Sequence, residues 1–185
     1  MNQSEKRQFL IQSLLKERPE YRDLSIQAES ESQRQLLRGL MNIRAPRRMD
    51  AEVLKTQDEY LQAETAAKGI TDLDDLTPVQ PRLYLWQGDI TTLRCDAIVN
   101  AANSGMTGCY IPNHRCIDNA IHTFAGVELR LACAELMRQQ GYPEPTGQAK
   151  ITPAFNLPCR YVLHTVGPII NGRVTKADEE LLASC

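Results

Sequence analysis

The 185-residue chain is predicted to adopt an α/β fold: a mixed, largely parallel sheet in a three-layer α/β/α arrangement, preceded by a helical N-terminal extension. Three observations predict it. Residues 1 to 80 are polar, with apolar residues recurring at helical spacing. From Arg82 onward, short apolar runs alternate with helical stretches, the pattern of sheets whose strands are joined by helices. The run Ala97-Ile98-Val99 leads into the polar turn Asn100-Ala101-Ala102-Asn103 and a small-residue loop, Ser104 to Gly108. Strand, polar turn and helix start are the parts of a ligand site at the carboxyl end of a sheet.

In chain order, Phe9, Leu10, Leu14 and Leu15 mark a first helix, which Pro19 closes. A second helix covers Glu29 to Ile43, with Leu36, Leu37, Leu40 and Met41 as its apolar stripe, and Pro46 ends it. Asp50 is the expected N-cap of a third, Ala51 to Lys68, in which Val53, Leu54, Tyr60 and Leu61 face a core. Gly69 is its expected C-cap. Thr71 to Pro81, with three aspartates and two prolines, is expected to be a connecting loop. Residues 1–80 show no chemistry and are expected to pack as an appendage on the body formed by residues 81–185.

In that body Leu83 to Trp86 is a β-prone run, and Asp96 to Val99 is a strand expected to be buried, given its continuous apolar character. Ile117 to Phe124 and Val127 to Gln140 are helices interrupted near Gly126. Gln148 to Thr152 and Tyr161 to Val166 are strands, and a last helix runs from Lys176 to Ser184. About four strands fall below the mean for a complete sheet. The sheet is therefore expected to be incomplete, the chain stopping inside its last helix.

A formal net charge of −2 gives no basic face for non-specific nucleic-acid binding. No apolar run is long enough to span a bilayer, and the N-terminus lacks the apolar core of a signal peptide. Six cysteines without an export signal favour a reducing cytoplasm and free or metal-bound thiols.

The densest chemistry is Cys109, His114 and Cys116, spaced C-x4-H-x-C. Two thiolates and an imidazole suit zinc, and three protein ligands leave a position open, as in catalytic sites. On spacing alone a second reading stands beside it: two small core cysteines and a loop histidine. Asp89, just after a strand, can accept from a sugar hydroxyl or a base amine, or simply cap a turn. Asn100 and Asn103 bracket the polar turn and offer both donors and acceptors, but asparagine is also a routine turn residue. Asp118 begins a helix, where it either complements the helix dipole or orients a water beside a metal.

Four motifs, in order, carry a resemblance: Gly88-Asp89-Ile90-Thr91, Asp96 to Asn103, Asp118-Asn119-Ala120-Ile121-His122, and His164-Thr165-Val166-Gly167-Pro168. Together residues 82 to 185 resemble a macrodomain, the ADP-ribose-binding α/β/α module. The segment Gly108 to Cys116 and the helical extension resemble the zinc-containing subfamily of bacteria and fungi. The resemblance implies hydrolytic removal of ADP-ribose from modified proteins, with Zn2+ as cofactor. It implies that Asp89 holds the adenine amine and the Ile90 backbone supports the base. It implies that Asn103 contacts the distal ribose, that Cys109, His114 and Cys116 bind zinc, and that the backbone of Cys116, Ile117 and Asp118 meets the diphosphate or distal ribose. Asn103 and Asp118 are the expected catalytic residues, fixing the distal ribose and a water. A lipoyl-carrier protein is the implied candidate target. The family's second glycine-rich loop is expected to be missing. Two rival expectations remain, a non-catalytic ADP-ribose reader and a structural zinc domain serving protein assembly.

Overall fold

The computed structural model describes residues 1–21, 24–170 and 172–185. Three helices lead the chain: α1 (Gln3–Lys16), α2 (Ser30–Ile43) and α3 (Ala51–Lys68). Each starts where a side chain satisfies the free amides of a first helical turn. Asn2 and Glu5 cap α1 reciprocally, Glu29 caps α2, and Asp50 caps α3 as expected. α1 ends at Lys16, and Pro19 opens a single 3-10 turn. Leu10, Ile11 and Leu14 of α1 pack with Leu37, Leu40 and Met41 of α2 and with Tyr60 and Leu61 of α3. Val53 and Leu54 lie half-buried at the margin of this core.

The expected connecting loop is more ordered than its composition suggests. It supplies two of four strands of two or three residues, β1 (Thr71–Asp72) and β2 (Pro78–Gln80), which pair with β4 (Leu93–Arg94) and β3 (Leu83–Tyr84). β1 pairs in parallel with β4, and β2 forms an antiparallel hairpin with β3. Pro78 is tolerated because it opens its strand. The β-prone run at Leu83 is thus an arm of an exposed hairpin, with Leu85 83% exposed, and lies outside the main sheet.

The main sheet is built from β5 (Ala97–Ala101), β6 (Ala149–Pro153) and β7 (Tyr161–Thr165), in the order β5-β7-β6. Between β5 and β6 run α4 (Ile117–Ala125) and α5 (Val127–Gln140), and α6 (Lys176–Ala183) follows β7. β5 and β7 are parallel because two helices give the chain room to cross over. Residues 154–160 are too few for a crossover, so β6 and β7 pair antiparallel and the sheet is mixed.

β5 is not buried on both sides, contrary to the expectation from its apolar run. Ile98 and Asn100 point inward, whereas Val99 is 54% exposed, because the pleat alternates and helices pack on the inner face. On that face Ile98 and Val162 meet Ile121, Leu129 and Cys133 of α4 and α5. The opposite face presents Val99, Ile151, Tyr161 and Leu163. The junction of α4 and α5 requires glycine. Gly126 has φ +93°, and a Cβ there would lie 2.6 Å from Gln57 Nε2 of α3. Among the described residues, no helix is long and apolar enough to cross a membrane.

Candidate active site

The carboxyl end of β5 sets the site. Asn100 is the last inward-facing residue of that strand and is fully buried. Its Nδ2 donates to Asp118 Oδ1 at 2.8 Å and lies 3.1 Å from His164 Nδ1 on the neighbouring β7. A carboxylate can only accept, so the amide must turn its nitrogen this way. His164 Nδ1 is then an acceptor, and its Nε2–H faces Thr152 Oγ1 at 3.0 Å and Cys133 Sγ at 3.7 Å. Asn103, three residues on, donates from Nδ2 to Asp118 Oδ2 at 3.3 Å and to the Gly108 carbonyl at 3.2 Å. Its Oδ1 accepts from the Gly105 amide at 2.9 Å.

Asp118 therefore lies only 5% exposed, held by two asparagines in the first turn of α4. Burial raises its pKa above the ordinary aspartate value, and the Asn100 hydrogen bond, the Arg130 charge and the Asn103 hydrogen bond oppose that rise without cancelling it. His122, one turn along, lies 3.6 Å from Asp118 Oδ1 and has no hydrogen-bond partner at either nitrogen among the described residues. The loop turns tightly beside that ring. Gly108 has φ +83°, and a Cβ there would stand 2.8 Å from the imidazole.

Cys109, His114 and Cys116 converge in front of α4. Their ligand atoms lie within 4.8 Å of one another, and Cys109 Sγ is 3.6 Å from His114 Nδ1. Cys116 is also the N-cap of α4, its Sγ accepting from the Asn119 amide at 3.4 Å. Its thiol is raised by burial, and the neighbouring Cys109 and Asp118 add to the shift. Two thiols and an imidazole this close make a donor set that zinc fits, with no fourth protein ligand in the trio. A second convergence, His122 with Cys133 and His164, is wholly buried and forms part of the polar layer beneath Asp118.

Asp89 stands toward the far end of α4. Its Oδ1 accepts from the Thr91 amide at 3.0 Å and from the Thr91 hydroxyl at 2.6 Å. Its Oδ2 accepts from Lys68 Nζ of α3 at 2.9 Å, and that ammonium sits 3.2 Å from the centroid of the Phe124 ring. Burial alone would raise the Asp89 carboxyl, but donation from Thr91 and Lys68 outweighs it and holds the group below the usual range. Asp118 and Phe124 are six residues apart, so the two ends of the site are separated by about 9 Å along the helix. Ile90 packs at the edge of the main core, and Ile117 is 38% exposed at the helix start.

Residues 1–80 pack on the body, as expected, and also contact the loop that carries the candidate ligands. Arg38 of α2 donates to the His114 carbonyl at 3.0 Å, and Asn42 accepts from the Asn113 amide at 3.0 Å. Arg130 of α5 donates to the carbonyls of Met41, Asn42 and Arg44 at the end of α2, and to that of Thr107 in the loop. Its guanidinium also covers the Tyr110 ring at 4.2 Å. No local pattern signals these contacts, because their partners are 23 to 89 residues apart in sequence.

The Macro domain family matches residues 99–185. A protein-ADP-ribose hydrolase of Treponema medium is 59% identical over 188 residues, spanning 100% of this chain and 72% of its own length. The chain belongs to the Macro domain family. A protein-ADP-ribose hydrolase of Staphylococcus aureus (strain MRSA252) is 47% identical over 180 residues, covering 96% of this macrodomain chain and 67% of its own length. Among solved structures, an Oceanobacillus iheyensis macrodomain with ADP is 45% identical, with a TM-score of 0.47. That match covers 53% of this chain and 50% of the other. A Trypanosoma brucei macrodomain in complex with ADP-ribose is 28% identical, covers 70% of this chain and 59% of its own, and has a TM-score of 0.47.

The buried histidines of this macrodomain make its stability acid-sensitive. Burial lowers His122 to about 3, helped by the Arg130 and His164 charges, and lowers His164 to about 4. Both folded values lie below the unfolded value of about 6.5, so the stabilisation is complete above pH 6.5 and is lost as pH falls toward the folded values. Each histidine contributes a slope of roughly 1.4 kcal/mol per pH unit over that window. Urea midpoints measured at pH 7 and pH 5 are expected to drop accordingly, and His122→Gln is expected to flatten the dependence. Equal midpoints at the two pH values would contradict the buried neutral pair.

Proposed function

We propose that this macrodomain hydrolyses ADP-ribose from modified proteins, using zinc held by Cys109, His114 and Cys116. The observation that carries the reading is the double position of Cys116. It belongs to the ligand trio and caps the helix whose first turn holds Asp118, against which Asn103 is bonded. Two relatives named protein-ADP-ribose hydrolase, at 59% and 47% identity, support the activity.

Bound zinc would supply Lewis-acid polarisation of a substrate oxygen. The chain's own groups do the rest. The ionised Asp89 carboxylate accepts from the exocyclic amine of adenine, while the Ile90 backbone supports the base. The first-turn amides of α4, at Ile117 and Asp118, have no partner within the helix and face the negative charge of the diphosphate or the hydroxyls of the distal ribose. Asn103 positions the distal ribose. Asp118, ionised and aligned by Asn100, orients the attacking water and accepts its proton.

The direct test is incubation with an ADP-ribosylated protein, a lipoyl-carrier protein being the first target to offer. Free ADP-ribose is expected in solution, with loss of label from the target. A macrodomain that retains the label without releasing it would be a reader, and the hydrolase proposal would be wrong.

A further inference from the structure

The ligand trio sits on an irregular loop, and such a loop binds a metal tightly only if something else fixes its backbone. Ordering each free residue costs chain entropy that the bound metal would otherwise have to offset. The contacts that fix this loop divide by origin. Its ends are held from α4: Asn119 Nδ2 donates to the Ile111 carbonyl at 3.1 Å and to the Cys109 carbonyl at 3.5 Å, and the Asn119 amide donates to Cys116 Sγ. Its middle is held from α2, more than 70 residues away. Arg38 Nη2 donates to the His114 carbonyl at 3.0 Å and to Asn119 Oδ1 at 2.9 Å, while its Nε reaches the same Oδ1 at 3.3 Å. Asn42 Oδ1 accepts from the amide of Asn113, which is in the left-handed region at φ +56°. Asn42 Nδ2 donates to Thr123 Oγ1 at 2.9 Å, so this amide cannot swing away without breaking a bond to α4. Asn42 is 1% and Asn119 0% exposed, which keeps water from substituting easily for either.

Of the three candidate ligands, the two cysteines are therefore placed by α4. His114, the exposed one, is placed by α2. We infer that Arg38 and Asn42 are positioning residues for the histidine ligand, so that the helical N-terminal segment sets the metal affinity of the site. The inference rests on the reading that the trio binds a metal. Partners that orient the groups holding a metal commonly govern affinity by 10- to 100-fold. Arg38 does this by fixing the carbonyl of the ligand residue itself and the asparagine that holds the rest of the loop. A lysine could supply the charge at position 38, but not the two-pronged contact that joins His114 to Asn119.

The test is a chelator-competition titration with Zn2+, paired with the absorption spectrum of the Co2+-substituted protein. It compares wild type, Arg38→Ala, Arg38→Lys, Asn42→Ala, His114→Ala and a control, Arg34→Ala, on the same helix. Arg38→Ala and Asn42→Ala are expected to weaken Zn2+ by about 10- to 100-fold. At saturating Co2+ both should keep the thiolate charge-transfer band and shift the ligand-field bands toward those of His114→Ala. Arg38→Lys should resemble Arg38→Ala, and Arg34→Ala should match wild type. If Arg38→Ala and Asn42→Ala bind Zn2+ as tightly as a tight-binding wild type, with unchanged Co2+ spectra, the inference is wrong and the metal reading survives. If wild type itself takes up neither metal, the metal reading fails and this inference fails with it. Circular dichroism of each variant separates a lost ligand position from a lost fold. Arg38→Lys, the least disruptive change, decides the matter if Arg38→Ala unfolds.

Discussion

Cys116→Ser is expected to strip the site of metal and to lower ADP-ribose release by about three orders of magnitude while leaving the fold in place. The two effects separate because Cys116 does two jobs. As the N-cap of α4 its sulfur accepts from the Asn119 amide, and a serine hydroxyl is a good substitute in that role. As a ligand in the proposed zinc site it would provide a thiolate, which serine cannot supply at neutral pH. Loss of Lewis-acid stabilisation amounts to several kcal/mol of the barrier, and each 1.36 kcal/mol is tenfold in rate. Thermal unfolding without added metal should shift little between wild type and variant, whereas elemental analysis should differ by a stoichiometric zinc. Undiminished release from the metal-free variant would remove zinc from the reaction.

Asp118→Ala is expected to cost about 10²- to 10⁴-fold in release, the range for a positioned general base. It also leaves the buried Asn100 amide short of an acceptor, a desolvation cost of about 1–3 kcal/mol. The wild-type pH profile carries a finer signature. Burial raises the Asp118 pKa, so the acid limb of kcat/KM should lie above the ordinary aspartate range. Asn100→Ala removes a hydrogen bond that opposes the rise and should move the limb further up. Because the folded value exceeds the unfolded one, the stability contributed by this group is present below its unfolded pKa and lost as pH rises through the folded pKa. That direction is opposite to His122 and His164, so the two kinds of group can be told apart by variant. An acid limb that does not move in Asn100→Ala would break the link between that amide and Asp118.

Local chemistry made much of this structure legible in advance. The three leading helices follow from apolar stripes, the Asp50 cap and Gly69, all of which act within a few residues, while the Asn2 and Glu29 caps were not read in advance. β7, α4 and α5 fall within a residue or two of their expected bounds for the same reason. The convergence of Cys109, His114 and Cys116 was legible because one short loop carries all three. What escaped depends on pairing across long stretches of chain. The hairpin of Leu83–Tyr84 with Pro78–Gln80 could not be assigned from a β-prone run alone. The exposure of Val99 depends on which faces the helices cover, and its neighbours in sequence do not reveal that. Asn100 looked like half of a turn pair, yet its side chain turns inward to join β7 to α4. Nothing in the local sequence singles out Arg38, Asn42 or Arg130. Their long-range hydrogen bonds arise only when α2 is laid against α5 and the loop that carries the candidate ligands.

The measurement closest to the centre of this account is made on one preparation in three states: as purified, after chelator treatment, and after zinc is restored. Zinc content and ADP-ribose release from a modified protein are determined together in each. The expected result is a stoichiometric zinc and release in the first state, loss of both in the second, and recovery of both in the third. Release that continues unchanged after the metal has gone would contradict the central claim that Cys109, His114 and Cys116 form the working heart of the site.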